Sequence, residues 1–247
     1  MSGHSKWSSI KHKKARTDAV RGKVFTKLIR EITVAARHGG GDPEANPRLR
    51  LAVQSAKAAN MPNDNITRAI KKGTGDVDGA VYEEFSYEGY GPAGVGLIID
   101  VLTDNRNRTT AEVRHALTKH GGSLGESNSV AWNFDTRGVI RIDGGRCDEE
   151  TVMNAALEAG AEDVEDDDGT FTVYTDPTDL PKVSEALRAG DLPVLSAGME
   201  KIPRTLVALE GEEAKRMLRL MEMLEDLDDV QRVSANFDIP DEILQEG

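Results

Sequence analysis

The hexapeptide Gly89-Tyr90-Gly91-Pro92-Ala93-Gly94 has the G-x-G-x-x-G spacing of a loop that cradles a dinucleotide pyrophosphate. That chemistry needs a helix N-terminus directly after the loop, where backbone N–H groups and the helix dipole meet the phosphate. Here Pro92 interrupts the motif and the alternation Val95, Leu97, Ile99 follows, so the segment reads as a hairpin turn. His4, His12, His38, His115 and His120 never stand at the i, i+4 spacing that places two imidazoles on one helix face, and no His-Glu-x-x-His occurs. The run Glu162-Asp163-Val164-Glu165-Asp166-Asp167-Asp168-Gly169 lacks the alternating ligands and terminal glutamate of a calcium loop and reads as a solvated turn. There is no G-x-S-x-G elbow and no Walker pattern, and Cys147 reads as an ordinary exposed thiol. No catalytic residue, metal ligand or cofactor is assigned, and enzymatic activity is not expected.

The basic residues carry a stronger signal. Lys6, Lys11, Lys13, Lys14 and Arg16 surround Trp7, Arg21 follows, and Lys23, Lys27 and Arg30 recur with helical spacing. Arg48, Arg50 and Lys57 come next. Cations so grouped gain affinity for phosphates by releasing counterions. A tryptophan among them either stacks on an unpaired base or packs into a core. A second phosphate-binding candidate is Arg106 and Arg108, in a loop that runs into a helix N-terminus. Its alternative is a capped helix whose arginines pair with Asp104 or Glu112.

The elements that must carry these residues divide the chain. Residues 1–16 read as a basic arm. From Thr17, Val20, Val24, Leu28 and Ile32 recur at every fourth position as an amphipathic helix, ended by Gly39-Gly40-Gly41. Asn46 and Pro47 are an N-cap and first-turn proline, opening a second helix that Pro62 closes. A third helix follows Asn63 or Asp64 and stops at Gly73, with Lys71 and Lys72 at the negative end of its dipole. Beyond a glycine-rich linker, strands are expected near 82–88, 95–102 and 128–134, with a helix over 109–120 capped by Thr109 or Thr110. Residues 139–202 then repeat β-α-β-β-α-β, the order of a ferredoxin-like unit, before a helix at 212–226 and a strand through Val230 and Val233. The expected class is α+β and multidomain, with an all-helical N-terminal domain and two α/β domains. The boundaries are 1–78 for the basic helical domain, 79–137 with 204–247 for a discontinuous α/β domain, and 138–203 for the ferredoxin-like domain inserted into it.

Net charge is −12 over 247 residues, but the average conceals a division. Residues 1–75 hold 16 Lys and Arg against 5 Asp and Glu, a balance of +11, while the other 172 hold 15 against 38, a balance of −23. Either the basic end faces a polyanion, or it docks onto the acidic body. No apolar run approaches the roughly 20 residues of a membrane span, and no secretory signal is expected at Met1. One cysteine agrees with a reducing compartment, so the cytoplasm is the expected location.

Gly3-His4-Ser5-Lys6-Trp7, Ile10 to Lys14, Arg21 to Lys27, Gly39 to Arg50, Tyr87 to Pro92, Asp104 to Thr109, Ala111 to His115 and Leu224 to Gln231 together resemble the YebC/PmpR family over nearly the whole chain. One departure is Asn63, where similar proteins often carry lysine. The resemblance implies a three-domain fold and a DNA-binding transcriptional regulator as the function. The related mitochondrial translational activator and some bacterial members act on the ribosome, so contact with ribosomal RNA is the alternative. A protein-binding adaptor working through the acidic α/β domains is a further one. The expected nucleic-acid contacts are Lys6, Trp7, Lys11, Lys13, Lys14, Arg16, Arg21, Lys23, Lys27, Arg30, Arg106 and Arg108. DNA or RNA, the ribosome included, is the expected partner.

Overall fold

The computed structural model describes residue 7 and residues 18–77, 80–166, 169–240 and 242–243. From residue 18 on, the described residues form three helices, α1 (Asp18–Gly39), α2 (Pro47–Ala58) and α3 (Asn63–Thr74). Ile32, Ala36, Leu49, Ala56, Ile66 and Ala69 form their common core. The expected cap is present, with Asn46 Oδ1 accepting from the Leu49 N–H at 3.1 Å. The expected stop at Gly73 is corrected. The helix continues to Thr74, and Gly75, with φ +87°, makes the left-handed cap. Gly73 instead lets α3 cross α1 closely: a Cβ there would lie 2.4 Å from the Thr33 carbonyl oxygen and 2.7 Å from Ala36 Cβ.

The remaining chain is α+β. Strands β1 (Glu83–Tyr90) and β2 (Gly96–Thr103) form a hairpin, closed by a Gly91 N–H to Val95 O bond of 2.8 Å, so Gly89–Gly94 is the turn the sequence indicated. Helix α4 (Arg106–Lys119) and the short β3 (Ser123–Leu124) follow. After β4 (Phe134–Asp143), α5 (Glu149–Ala159), β5 (Asp163–Asp166), β6 (Thr170–Thr175), α6 (Leu180–Ala189) and β7 (Val194–Pro203) complete a β-α-β-β-α-β unit. Its antiparallel sheet has the ferredoxin-like order β5-β6-β4-β7. The chain then passes through β8 (Val207–Ala208), α7 (Gly211–Glu225), β9 (Val230–Ala235) and β10 (Phe237–Asp238). Strand β9 returns to β2, so the sheet β3-β1-β2-β9 draws strands from both sides of the inserted unit. Leu97, Ile99 and Val101 face α4 and α7 in the larger core, while Ile98 packs on Val130 and Phe134 from the other side. No helix among the described residues is long and apolar enough to cross a membrane.

Two local expectations are corrected. Helix α4 begins at Arg106 and is capped by Asn105, whose side chain accepts from the Arg108 N–H at 3.1 Å; Thr109 is buried inside the helix. No strand spans 128–134. Glu88 accepts hydrogen bonds from the Asn128, Val130 and Ala131 N–H groups, which removes the donors a ladder needs, and residues 131–133 form a 3-10 turn before β4.

Gly73→Ala is expected to lower stability by about 1–3 kcal/mol, because backbone on the opposite helix cannot yield as a side chain would. Urea unfolding of the full chain measures it. An unchanged midpoint would mean that this crossing tolerates a methyl group.

Candidate nucleic-acid interface

On α1, Lys23, Lys27 and Arg30 share a flank, as their spacing required. What that flank meets is the acidic segment leaving α7. Lys23 Nζ lies 3.0 Å from the Asp226 carboxylate, and Lys27 Nζ donates to the Glu225 carbonyl at 2.7 Å. Arg30 donates to Asp229 Oδ1 at 2.6 Å and also to the Asp228 carbonyl. On α2, Arg48 pairs with Glu31 and Glu84, and Arg50 lies 3.7 Å from Glu185. Of the cations expected to meet phosphate, Lys23, Lys27 and Arg30 thus have partners within the chain, with Lys23 still 47% exposed. In this arrangement they dock the helical unit onto the acidic body, each donating to a carboxylate or carbonyl of the segment 225–229.

Asp229 is the centre of that dock. Its side chain is 2% exposed. Oδ2 accepts from Thr109 Oγ1 at 2.6 Å, Arg108 Nη2 at 2.7 Å and Thr103 Oγ1 at 3.0 Å, while Oδ1 takes Arg30. Burial works against the charge, yet the hydrogen bonds from Thr109, Arg108 and Thr103 and the charge of Arg30 outweigh it and hold the carboxyl below the ordinary aspartate range.

Arg106 and Arg108 do not converge on a common ligand position. Arg108 is tied to Asp229 and Asp104, and Arg106 lies with its guanidinium carbon 4.4 Å from the Phe85 ring centre. The cleft of about 500 Å³ beside them is lined by Arg30 and Arg108 but also by Asp104, Glu112, Asp226, Asp228 and Asp229. Five carboxylates against two arginines repel phosphate, so the paired-arginine alternative describes Arg108. Trp7 is also corrected. It is 5% exposed within the core around Leu97 and Met217, and a buried indole has no face to offer a base. Lys6, Lys11, Lys13, Lys14 and Arg16 lie outside the described residues. Arg21 lies on α1.

A different set of cations is open. Arg37, Arg68 and Lys71 are exposed and Lys72 is half-buried, with no ion pair to any described residue. Arg68, Lys71 and Lys72 stand at i, i+3 and i+4 on α3, and the close approach at Gly73 brings the Arg37 amide beside that helix. Lys71 and Lys72 do complement the helix dipole, but their spacing with Arg68 is also the sequence signal for a shared face. Cys147 is half-buried and donates to the Asp143 carbonyl at 3.2 Å; burial first, then Asp143 and Asp148, push its pKa up, away from a reactive thiolate.

Asp229→Ala is expected to cost about 3–5 kcal/mol, since it leaves buried arginine charge without its partner. The folded carboxyl titrates below its unfolded value of about 3.9. Its stabilisation is therefore complete above that value and is lost as pH falls through the folded pKa. Urea unfolding across an acid pH series should show this loss in the wild type and a flatter dependence in Asp229→Asn. Identical slopes would remove Asp229 from the acid transition.

Residues 5–76 match the family model described as the TACO1/YebC protein N-terminal domain, and residues 82–237 match TACO1/YebC second and third domain. A "Probable transcriptional regulatory protein" of Desulforapulum autotrophicum is 56% identical, covering 98% of each chain. One of the same name from Natranaerobius thermophilus is 56% identical over 100% of both chains. The crystal structure of a conserved hypothetical protein from Aquifex aeolicus superposes with a TM-score of 0.88 at 50% identity, covering 94% of this chain and 96% of that one. With both family models matched and relatives this similar along its whole length, the chain belongs to the TACO1/YebC family.

Proposed function

We propose that the protein is a non-enzymatic, cytoplasmic regulator of gene expression that binds nucleic acid through its helical unit. The observation that carries this reading is the open cationic face of Arg37, Arg68, Lys71 and Lys72 on a chain whose net charge is −12. Internal docking accounts for Lys23, Lys27 and Arg30 but gives Arg37, Arg68, Lys71 and Lys72 no ion pair among the described residues. In sequence Lys6, Lys11, Lys13, Lys14 and Arg16 precede the same unit and Arg21 opens its first helix, adding to the positive charge of this end of the chain. The name shared by the relatives supports promoter DNA as the target. Ribosomal RNA is the second reading. It is favoured because the open groups are lysines and arginines that take phosphates, which position a protein without reading base sequence.

Anisotropy with a labelled DNA duplex and a labelled ribosomal RNA hairpin, each across a salt series, tests the proposal. The variant Arg68→Gln/Lys71→Gln/Lys72→Gln is expected to weaken binding and to reduce the slope of log affinity against log salt by roughly 1 for each phosphate that is no longer neutralised. Wild-type affinity and slope in this variant would remove the α3 face from the interface. Preference for the hairpin over the duplex would move the target from DNA to RNA.

A further inference from the structure

The docked flank of α1 and the open face at α3 are parts of one basic stripe. Lys23, Arg30 and Arg37 recur every seventh residue on α1, a spacing that drifts by only about 20° at each step, and Lys27 lies beside them. From Lys23 to Arg37 the stripe runs about 21 Å at the helical rise. At one end Arg37 is exposed where α1 crosses α3, whose Arg68 and Lys71 are exposed as well. Toward the other end the segment 225–229 lies against it. The Asp226 carboxylate meets Lys23, the Glu225 carbonyl accepts from Lys27, and the Asp228 carbonyl and Asp229 carboxylate accept from Arg30. A nucleic-acid backbone takes the same kinds of donor. The segment also guards them by repulsion, since Asp226, Asp228 and Asp229 line the cleft beside Arg30 together with Asp104 and Glu112.

The contact is releasable. The helical unit carries its own core around Ile32, Leu49 and Ile66, separate from the core around Leu97 and Met217. Its ties to the rest of the chain include the polar contacts of Lys23, Lys27 and Arg30, the pair Arg48–Glu84, Arg50 near Glu185, and Leu51 partly buried against the core of the inserted unit. A boundary with so much charge in it permits one domain to move on another. Lys23 and Asp226 are 47% and 65% exposed, so water, salt and other anions compete for that pair directly. Asp229 also keeps partners when Arg30 leaves. Arg30 is on Oδ1, whereas Thr103, Thr109 and Arg108 donate to Oδ2, and the buried carboxylate stays hydrogen-bonded without the helical unit.

We propose that the segment 225–229 is an autoinhibitory latch on the nucleic-acid surface. While it is closed, phosphates meet the stripe at Arg37 and the face of α3. Opening it lifts the helical unit from the acidic body, and the nucleic-acid backbone then replaces the segment on Lys23, Lys27 and Arg30. Each cation exchanges an internal oxygen for a phosphate oxygen. Latch and ligand compete for the same donors, so the two are coupled, and whatever weakens the dock tightens binding. The inference rests on the nucleic-acid reading above and concerns how that surface is regulated.

The test uses the full chain with the labelled DNA duplex and the ribosomal RNA hairpin. Asp226→Asn/Asp228→Asn is expected to bind the preferred one about fivefold or more tightly than wild type, the lower end of ordinary coupling between sites. Glu212→Gln/Glu213→Gln removes as much charge from the exposed start of α7 and is expected to change affinity less. Lys23→Gln/Lys27→Gln should weaken binding more in the Asp226→Asn/Asp228→Asn background than in wild type, where losing phosphate contacts is offset by a weaker dock. Closing the latch covalently gives the reverse. In a Cys147→Ser background, which removes the native thiol, Lys23→Cys/Asp226→Cys joined by a short bis-maleimide is compared with the same variant capped by N-ethylmaleimide. The joined form is expected to bind about fivefold or more weakly, with a shallower slope of log affinity against log salt. Equal affinity of the joined and capped forms would overturn the latch, as would a gain in Asp226→Asn/Asp228→Asn no larger than in Glu212→Gln/Glu213→Gln, and either result leaves the α3 interface standing. A wild type that binds neither nucleic acid would overturn the α3 interface and the latch with it.

Discussion

A single buried carboxylate, Asp229, holds the end of β2, the first turns of α4 and the middle of α1 in one arrangement. Thr103, Thr109, Arg108 and Arg30 all donate to it, and its side chain is 2% exposed. A charge so placed is tolerable only while each lone pair is satisfied, so the elements that supply donors are constrained together. The orientation of the helical unit follows from that constraint. With Arg30 on Asp229, the same flank of α1 brings Lys23 beside Asp226 and Lys27 to the Glu225 carbonyl.

This dock changes the meaning of the charge division along the sequence. A balance of +11 in the first 75 residues against −23 in the rest describes a segment that is partly neutralised by its own body. What remains outward is decided side chain by side chain. Arg48 is spent on Glu31 and Glu84, whereas Arg68 and Lys71 are open. The converse holds on the acidic body, where burial and then the positive charges of Lys119, Arg219 and Arg216 hold His120 below the usual histidine range. Local arrangement rather than net charge sets where an anion is welcome.

The inserted sheet is attached by the same kind of interaction. Lys201 on β7 reaches Asp100 on β2, and Arg204 just beyond β7 pairs with Asp135 on β4 at 2.6 Å. Inside the sheet, Arg141 and Glu200 pair across neighbouring strands with side chains 3% and 13% exposed. The two-pronged geometry of Arg141 on Glu200, 2.5 and 2.9 Å, supplies the satisfaction that burial demands.

What the sequence determined by itself was whatever neighbouring residues settle among themselves. Asn46 before Pro47 capped a helix, Gly89 to Gly94 turned a hairpin, and alternating β-α-β-β-α-β periodicity marked the insert, because each depends on dihedral preference or apolar spacing within a few turns of chain. The family resemblance rested on the same local words. Tertiary structure decided the rest through groups distant in sequence. Glu88 took the N–H groups near residue 130 that a strand would have used, the approach of Thr33 made Gly73 a crossing point rather than a stop, and the core around Leu97 claimed Trp7. The flank of α1 was legible as basic, but its engagement was not, since Asp226 and Asp229 lie about two hundred residues away and only the fold sets the distance over which opposite charges act.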